Sequence, residues 1–162
     1  MLDSLRSTRG ISLVGVTAAL YIAITTVIAP LSYGPIQLRF SEILVLLSFI
    51  SPIYGIGVSV GVFISNLLGP FGLLDAVVGT SSTVLAVVLM SRTKSLLIAT
   101  FWPTITAAIF VGLMLSYVLE GWTPLFAIGA VGAGQFVVLT CVGYPVFKLI
   151  LNNKTLYSML NI

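Results

Sequence analysis

Six polar side chains, Gln37, Arg39, Glu42, Asn66, Asp75 and Gln135, stand within or at the ends of apolar runs, where ionisable and amide groups are expensive and usually functional. Their chemistry is recognition. A carboxylate accepts two hydrogen bonds side by side and an amide both donates and accepts, so the set suits a planar, donor-rich heterocycle better than a simple ion. Tyr33, Phe40, Phe71 and Trp122 are candidates for stacking on it, although aromatics at such depths also form interfacial belts. Bond-breaking chemistry lacks its usual residues. There is no histidine, one cysteine and no P-loop pattern, so zinc and iron centres, Ser–His nucleophiles and ATP hydrolysis have no residues to build on. The chain reads as a binding protein and not as an enzyme, with no metal and no cofactor of its own.

Three of the six fall in one stretch, Pro30-Leu31-Ser32-Tyr33-Gly34-Pro35-Ile36-Gln37-Leu38-Arg39-Phe40-Ser41-Glu42. Pro30 and Gly34-Pro35 stop a helix and demand a turn. The stretch therefore reads as an ordered lid loop over 30–36, with Tyr33, Gly34 and Pro35 at its centre, running into a new apolar segment that starts with Gln37.

The elements that must hold these residues are membrane helices. Of 162 residues, 59% are hydrophobic and 7% charged, with a mean hydropathy of +1.20, which excludes an ordinary soluble core. A helical crossing takes about 20 apolar residues, so the length allows about six with short loops and no soluble domain. The ten-residue alternation of an outer-membrane barrel is absent. The expectation is all-α: a polytopic six-transmembrane-helix bundle forming a single domain over 1–162, with helices at about 10–29, 37–51, 52–68, 73–90, 95–119 and 125–151. The first is expected to be a retained helix and not a cleaved signal peptide, since it is long enough to span and no small-x-small site closes it. Cys141 lies in an apolar run and reads as a small buried thiol.

Turn chemistry sets the boundaries. Ser51-Pro52 breaks the second helix from the third, Gly69-Pro70-Phe71-Gly72 ends the third, and Glu120-Gly121-Trp122-Thr123-Pro124 separates the last two. Pro103 is expected to kink the fifth helix. Gly15, Ala19 and Ala23, four apart on the first helix, form a small-residue face that fits internal packing or docking of another protein equally well. Gly57, Gly61 and Ser65 form a second such stripe, most simply packing.

With six crossings, both termini share one side, which collects Arg6, Arg9, Arg92, Lys94, Lys148 and Lys154, against Arg39 alone on the other. The positive-inside rule makes both termini cytoplasmic. The net charge of +3 is then a matter of topology and not of nucleic-acid binding. Gln37, Arg39, Glu42, Asn66 and Asp75 all fall at one outer depth, with Gln135 reaching in from near mid-membrane. Plainer readings exist: Asp75 as a helix cap, Arg39 and Glu42 as an i,i+3 ion pair. They leave Gln37 and Asn66 unexplained. A pocket without an engine implies a partner that supplies one; a stand-alone secondary carrier or small channel is the alternative.

The stretch Gly34-Pro35-Ile36-Gln37-Leu38-Arg39-Phe40-Ser41-Glu42, with Asn66-Leu67-Leu68-Gly69-Pro70-Phe71-Gly72-Leu73-Leu74-Asp75, resembles the QueT family, the queuosine-precursor S components of energy-coupling factor (ECF) transporters. The resemblance implies a six-helix substrate-binding subunit in the plasma membrane of a prokaryote. Its ligand would be a 7-deazaguanine such as prequeuosine-1 or queuine; a different heterocycle or vitamin is the alternative substrate. It also implies docking on a transmembrane T component through the small-residue face that includes Ala19 and Ala23, with ATP used by two partner ATPases. Under the same resemblance Glu42 would read the guanine-like edge, Asn66 and Gln37 the carbonyl and remaining ring positions, and Asp75 an aminomethyl cation. Arg39 would orient Glu42 or hold the lid. Ser48 stands where many relatives are expected to carry a proline early in the second helix.

Overall fold

The computed structural model describes residues 7–34 and 36–161; Arg6 of the charge argument and Pro35 of the lid lie outside the described residues. Helix α1 (Thr8–Val27) begins at Ser7, whose hydroxyl accepts from the Gly10 amide at 3.1 Å. A helical turn, α2 (Ala29–Ser32), starts with Pro30 at its second position, where the missing donor costs nothing. A ten-residue 3₁₀ helix (Phe40–Phe49) follows. That is long for so tight a winding. The sequence reading placed an ordinary helix there, and the Ser48 hydroxyl bonds back to the Val45 carbonyl at 2.5 Å within the tighter turn.

Then come α3 (Pro52–Leu67), α4 (Gly72–Ser91) and α5 (Leu96–Val118), which carries Pro103 inside it. The last long rod is α6 (Pro124–Phe136), a π-helical segment (Val137–Gly143) and α7 (Tyr144–Asn152), with a short α8 (Lys154–Leu160) beyond. Proline opens α3 and α6, and Gly72 and Gly121 take the left-handed backbone that the preceding turns require (φ 55° and 80°). The described residues are all helix and turn, without a strand.

Among the described residues, four helical rods are long and apolar enough to cross a membrane: Thr8–Val27, Gly72–Ser91, Leu96–Val118 and the continuous Pro124–Asn152. Phe40–Phe49 and Pro52–Leu67 are apolar but shorter. The chain is a multi-pass membrane protein. Lipid tails are as apolar as the side chains, so close packing holds such helices together more than hydrophobic burial does. The second small-residue stripe supplies that fit. A Cβ at Gly57 would lie 2.8 Å from Thr17 Cβ, and one at Gly61 2.7 Å from Tyr21 Cβ, so α1 and α3 touch where α3 lacks side chains. Gly15, Ala19 and Ala23 face outward instead, and nothing lies within 4 Å of a Cβ built at Gly15. Cys141 is exposed, contrary to the buried thiol expected from its apolar run, because it lies with Val142 on the side of the rod that faces away from the bundle, while Val138, Leu139 and Gly143 face in.

Among the described residues, the interior holds two apolar clusters. One gathers Tyr21, Val45, Leu46, Val58, Val62, Met90 and Leu139; the other gathers Val111, Met114, Leu115, Ala127 and Val131 between α5 and α6.

Candidate functional site

Where these clusters meet, a cavity is lined by Gln37, Arg39, Glu42 and Gln135, with Val62 of one cluster and Val111 of the other. Gly79, Ser82 and Thr83 of α4 and Pro103, Thr106 and Ala107 of α5 complete its wall. Its volume of about 20 Å³ admits about one water molecule. A bicyclic ligand would therefore have to displace part of the wall.

The polar residues reach this point by distinct routes. Gln37 adopts φ 49°, a left-handed conformation uncommon outside glycine. Its backbone N–H donates to the Gly34 carbonyl at 3.0 Å, and its backbone carbonyl accepts from the Arg39 backbone N–H at 2.8 Å. Strain of this kind persists where the surroundings fix it, and the surroundings are visible: a Cβ on Gly134 of α6 would run into the Ile36 carbonyl oxygen. Gly134 thus lets the end of the lid lie directly on the helix that presents Gln135.

Arg39 is 5% exposed and gives Nη1 to Asn66 Oδ1 at 2.8 Å, while its guanidinium lies 5.4 Å from the centre of the Tyr33 ring. Tyr33 in turn donates to the Ser65 carbonyl at 2.6 Å, anchoring the lid to the end of α3. Asn66, fully buried, donates from Nδ2 to the Asp75 carbonyl at 3.1 Å. Glu42 Oε1 accepts from the Tyr21 hydroxyl at 2.5 Å. The plainer i,i+3 pairing of Arg39 with Glu42 gives way to these two bonds: Tyr21 of α1 takes Glu42, and Asn66 takes the arginine.

Gln37, Arg39, Glu42 and Gln135 come together on the cavity, and Asn66 and Asp75 stand behind Gly79. Several buried polar atoms among them have no hydrogen-bond partner: Arg39 Nε and Nη2, both carboxylate oxygens of Asp75, and Gln135 Oε1. Of the stacking candidates, Tyr33 contacts the site through Arg39, whereas Trp122 packs edge-on against Phe126 with ring centres 4.9 Å apart. Phe40, Phe71 and Trp122 are not in the cavity wall.

Sequence reasoning passed over Tyr21, Thr25 and Ser41. Thr25 Oγ1 bonds to the Tyr21 carbonyl at 2.8 Å and shares a hydrogen bond of 2.6 Å with Ser41 Oγ. Their signal was present: Tyr21 and Thr25 are polar, four apart, and lie inside an apolar helix on the face opposite the small residues. Gly79 carried no signal of its own, being one small residue among many on α4.

A family model described as "QueT transporter" matches residues 11–152. "Queuosine precursor transporter QueT" of Lactococcus lactis subsp. cremoris (strain MG1363) is 40% identical over 87 residues, half of this chain and 51% of that protein. The chain thus spans about half the length of the curated relative it matches. No solved structure matches it. The family model covers most of the chain, and the chain belongs to the QueT transporter family.

Proposed function

We propose that this chain is the substrate-binding subunit for uptake of a queuosine precursor, a 7-deazaguanine such as prequeuosine-1 or queuine, working as the S component of an ATP-driven ECF transporter. The observation that carries the reading is the concentration of unpartnered buried hydrogen-bonding capacity around one interior cavity. Such groups cost about 1–3 kcal/mol each when left unmade, and a polar heterocycle would satisfy them. The name of the Lactococcus relative supports the same substrate class.

In this reading Gln37, Arg39, Glu42, Asn66, Asp75 and Gln135 bind the ligand. Tyr33, Gly34 and Pro35 close over it. The six apolar helices, Phe40–Phe49 and Pro52–Leu67 included, cross or enter the plasma membrane of a prokaryote with both termini cytoplasmic and the lid outside. Gly15, Ala19 and Ala23 dock on the T component, and two ATPases drive reorientation of the loaded subunit; the outward exposure of these three residues leaves them available for that contact. The test is reconstitution. Labelled prequeuosine-1 should accumulate in proteoliposomes only when the T component, the ATPases and ATP are present. Accumulation by this chain alone would overturn the ECF assignment in favour of a stand-alone carrier.

A further inference from the structure

Two groups of opposite charge stand beside the cavity with their hydrogen bonds unmade. Arg39 spends Nη1 on Asn66, and Nε–H and Nη2–H, the side edge of its planar fork, have no partner. Asp75 is 1% exposed and neither carboxylate oxygen has a partner. One residue holds the two in register: Asn66 accepts from Arg39 and donates to the Asp75 carbonyl. Glu42 is differently placed, since one of its oxygens already holds Tyr21.

Arg39 lines the cavity directly, and Gly79 brings Asp75 up to its wall. Gly79 lines the cavity, one helical turn beyond Asp75 on the same helix. A Cβ there would collide with the Asn66 side-chain amide and would lie 3.7 Å from Asp75 Oδ1. With hydrogen in its place, the Asn66 amide and the Asp75 carboxylate pack directly against the cavity wall.

We infer that Arg39, in the cavity wall, and Asp75, packed behind Gly79, are the specificity-determining pair, and that they read a lactam edge: a ring carbonyl beside a ring N–H and an exocyclic amine. The carbonyl oxygen takes the two free N–H groups of Arg39, and the N–H and amine donate to the two oxygens of Asp75. This moves edge recognition from Glu42 to Asp75 and leaves Glu42 to contact another part of the ligand. It rests on the substrate-binding reading of the cavity given above.

Calorimetric titration of the purified protein in detergent tests it with 7-deazaguanine, 7-deazahypoxanthine, which lacks the exocyclic amine, and 1-methyl-7-deazaguanine, which lacks the ring N–H. The wild-type protein should prefer 7-deazaguanine to either analogue by roughly tenfold or more. Asp75→Asn should shrink that preference to about threefold or less, whereas Glu42→Gln should weaken all three ligands and leave the preference intact. Gly79→Ala provides a second variant: its methyl must displace the Asn66 amide that holds Arg39 and Asp75 in register, while Glu42 stays on Tyr21, and it too should erase the preference. Wild-type preference in a folded Asp75→Asn or Gly79→Ala protein, or its loss in Glu42→Gln, overturns the assignment. Equal wild-type binding of all three ligands overturns this inference alone; binding of none overturns the reading of the cavity as well.

Discussion

Glu42 is held by Tyr21 inside the bundle, through a 2.5 Å bond from a phenol that is fully buried. Hydrogen bonds to a charged partner contribute about 1.5–3 kcal/mol, and Tyr21→Phe preserves the ring that packs against Gly61. The substitution should lower stability by about 1–3 kcal/mol in thermal unfolding in detergent and weaken ligand affinity. Unchanged values for both would mean that the phenol is a bystander. At the same scale, Gln37 shows why residue types alone did not give the site. Its identity marked it from the sequence as a candidate; its left-handed backbone, which aims it, is a product of the turn and of Gly134 and has no signature at position 37.

Turn chemistry made the elements legible. Ser51-Pro52, Gly69-Pro70 and Thr123-Pro124 mark boundaries because proline fixes φ and lacks a donor, and helices start at Pro52 and Pro124. What the sequence concealed is how each helix is wound. Apolar content is the same for an α, a 3₁₀ or a π segment, so the tight winding of Phe40–Phe49 and the wide winding of Val137–Gly143 come from tertiary contacts. The second small-residue stripe shows the same division. Spacing put Gly57 and Gly61 on one face, but only the packing of α1 says what they meet. Gly61→Ala should cost about 1–3 kcal/mol, since its methyl must displace Tyr21, whereas Gly129→Ala, with nothing within 4 Å, should unfold like wild type. Thermal melts of the two side by side check the pair. Gly134→Ala acts on the lid: the methyl meets the Ile36 carbonyl, and ligand release measured by stopped flow should quicken. An unchanged release rate would show that the lid does not rest on α6 while ligand is bound.

For the molecule as a whole, the bundle separates two faces of α1. Thr17, Ala18, Tyr21 and Thr25 point inward, two of them into the polar network, and Gly15, Ala19 and Ala23 point outward. The proposed binding and docking surfaces therefore lie on opposite sides of one helix. Ala19→Leu combined with Ala23→Leu should abolish ATP-driven uptake in the reconstituted system while calorimetry finds ligand affinity within about twofold of wild type, because the larger side chains project away from the cavity. A double variant that still transports would mean that docking lies elsewhere. The most direct measurement of the central claim is calorimetric titration of the purified chain, by itself in detergent, with prequeuosine-1. Saturable binding to one site per chain, lost or greatly weakened in Arg39→Ala, is the expected result; no saturable binding of any 7-deazaguanine would contradict it.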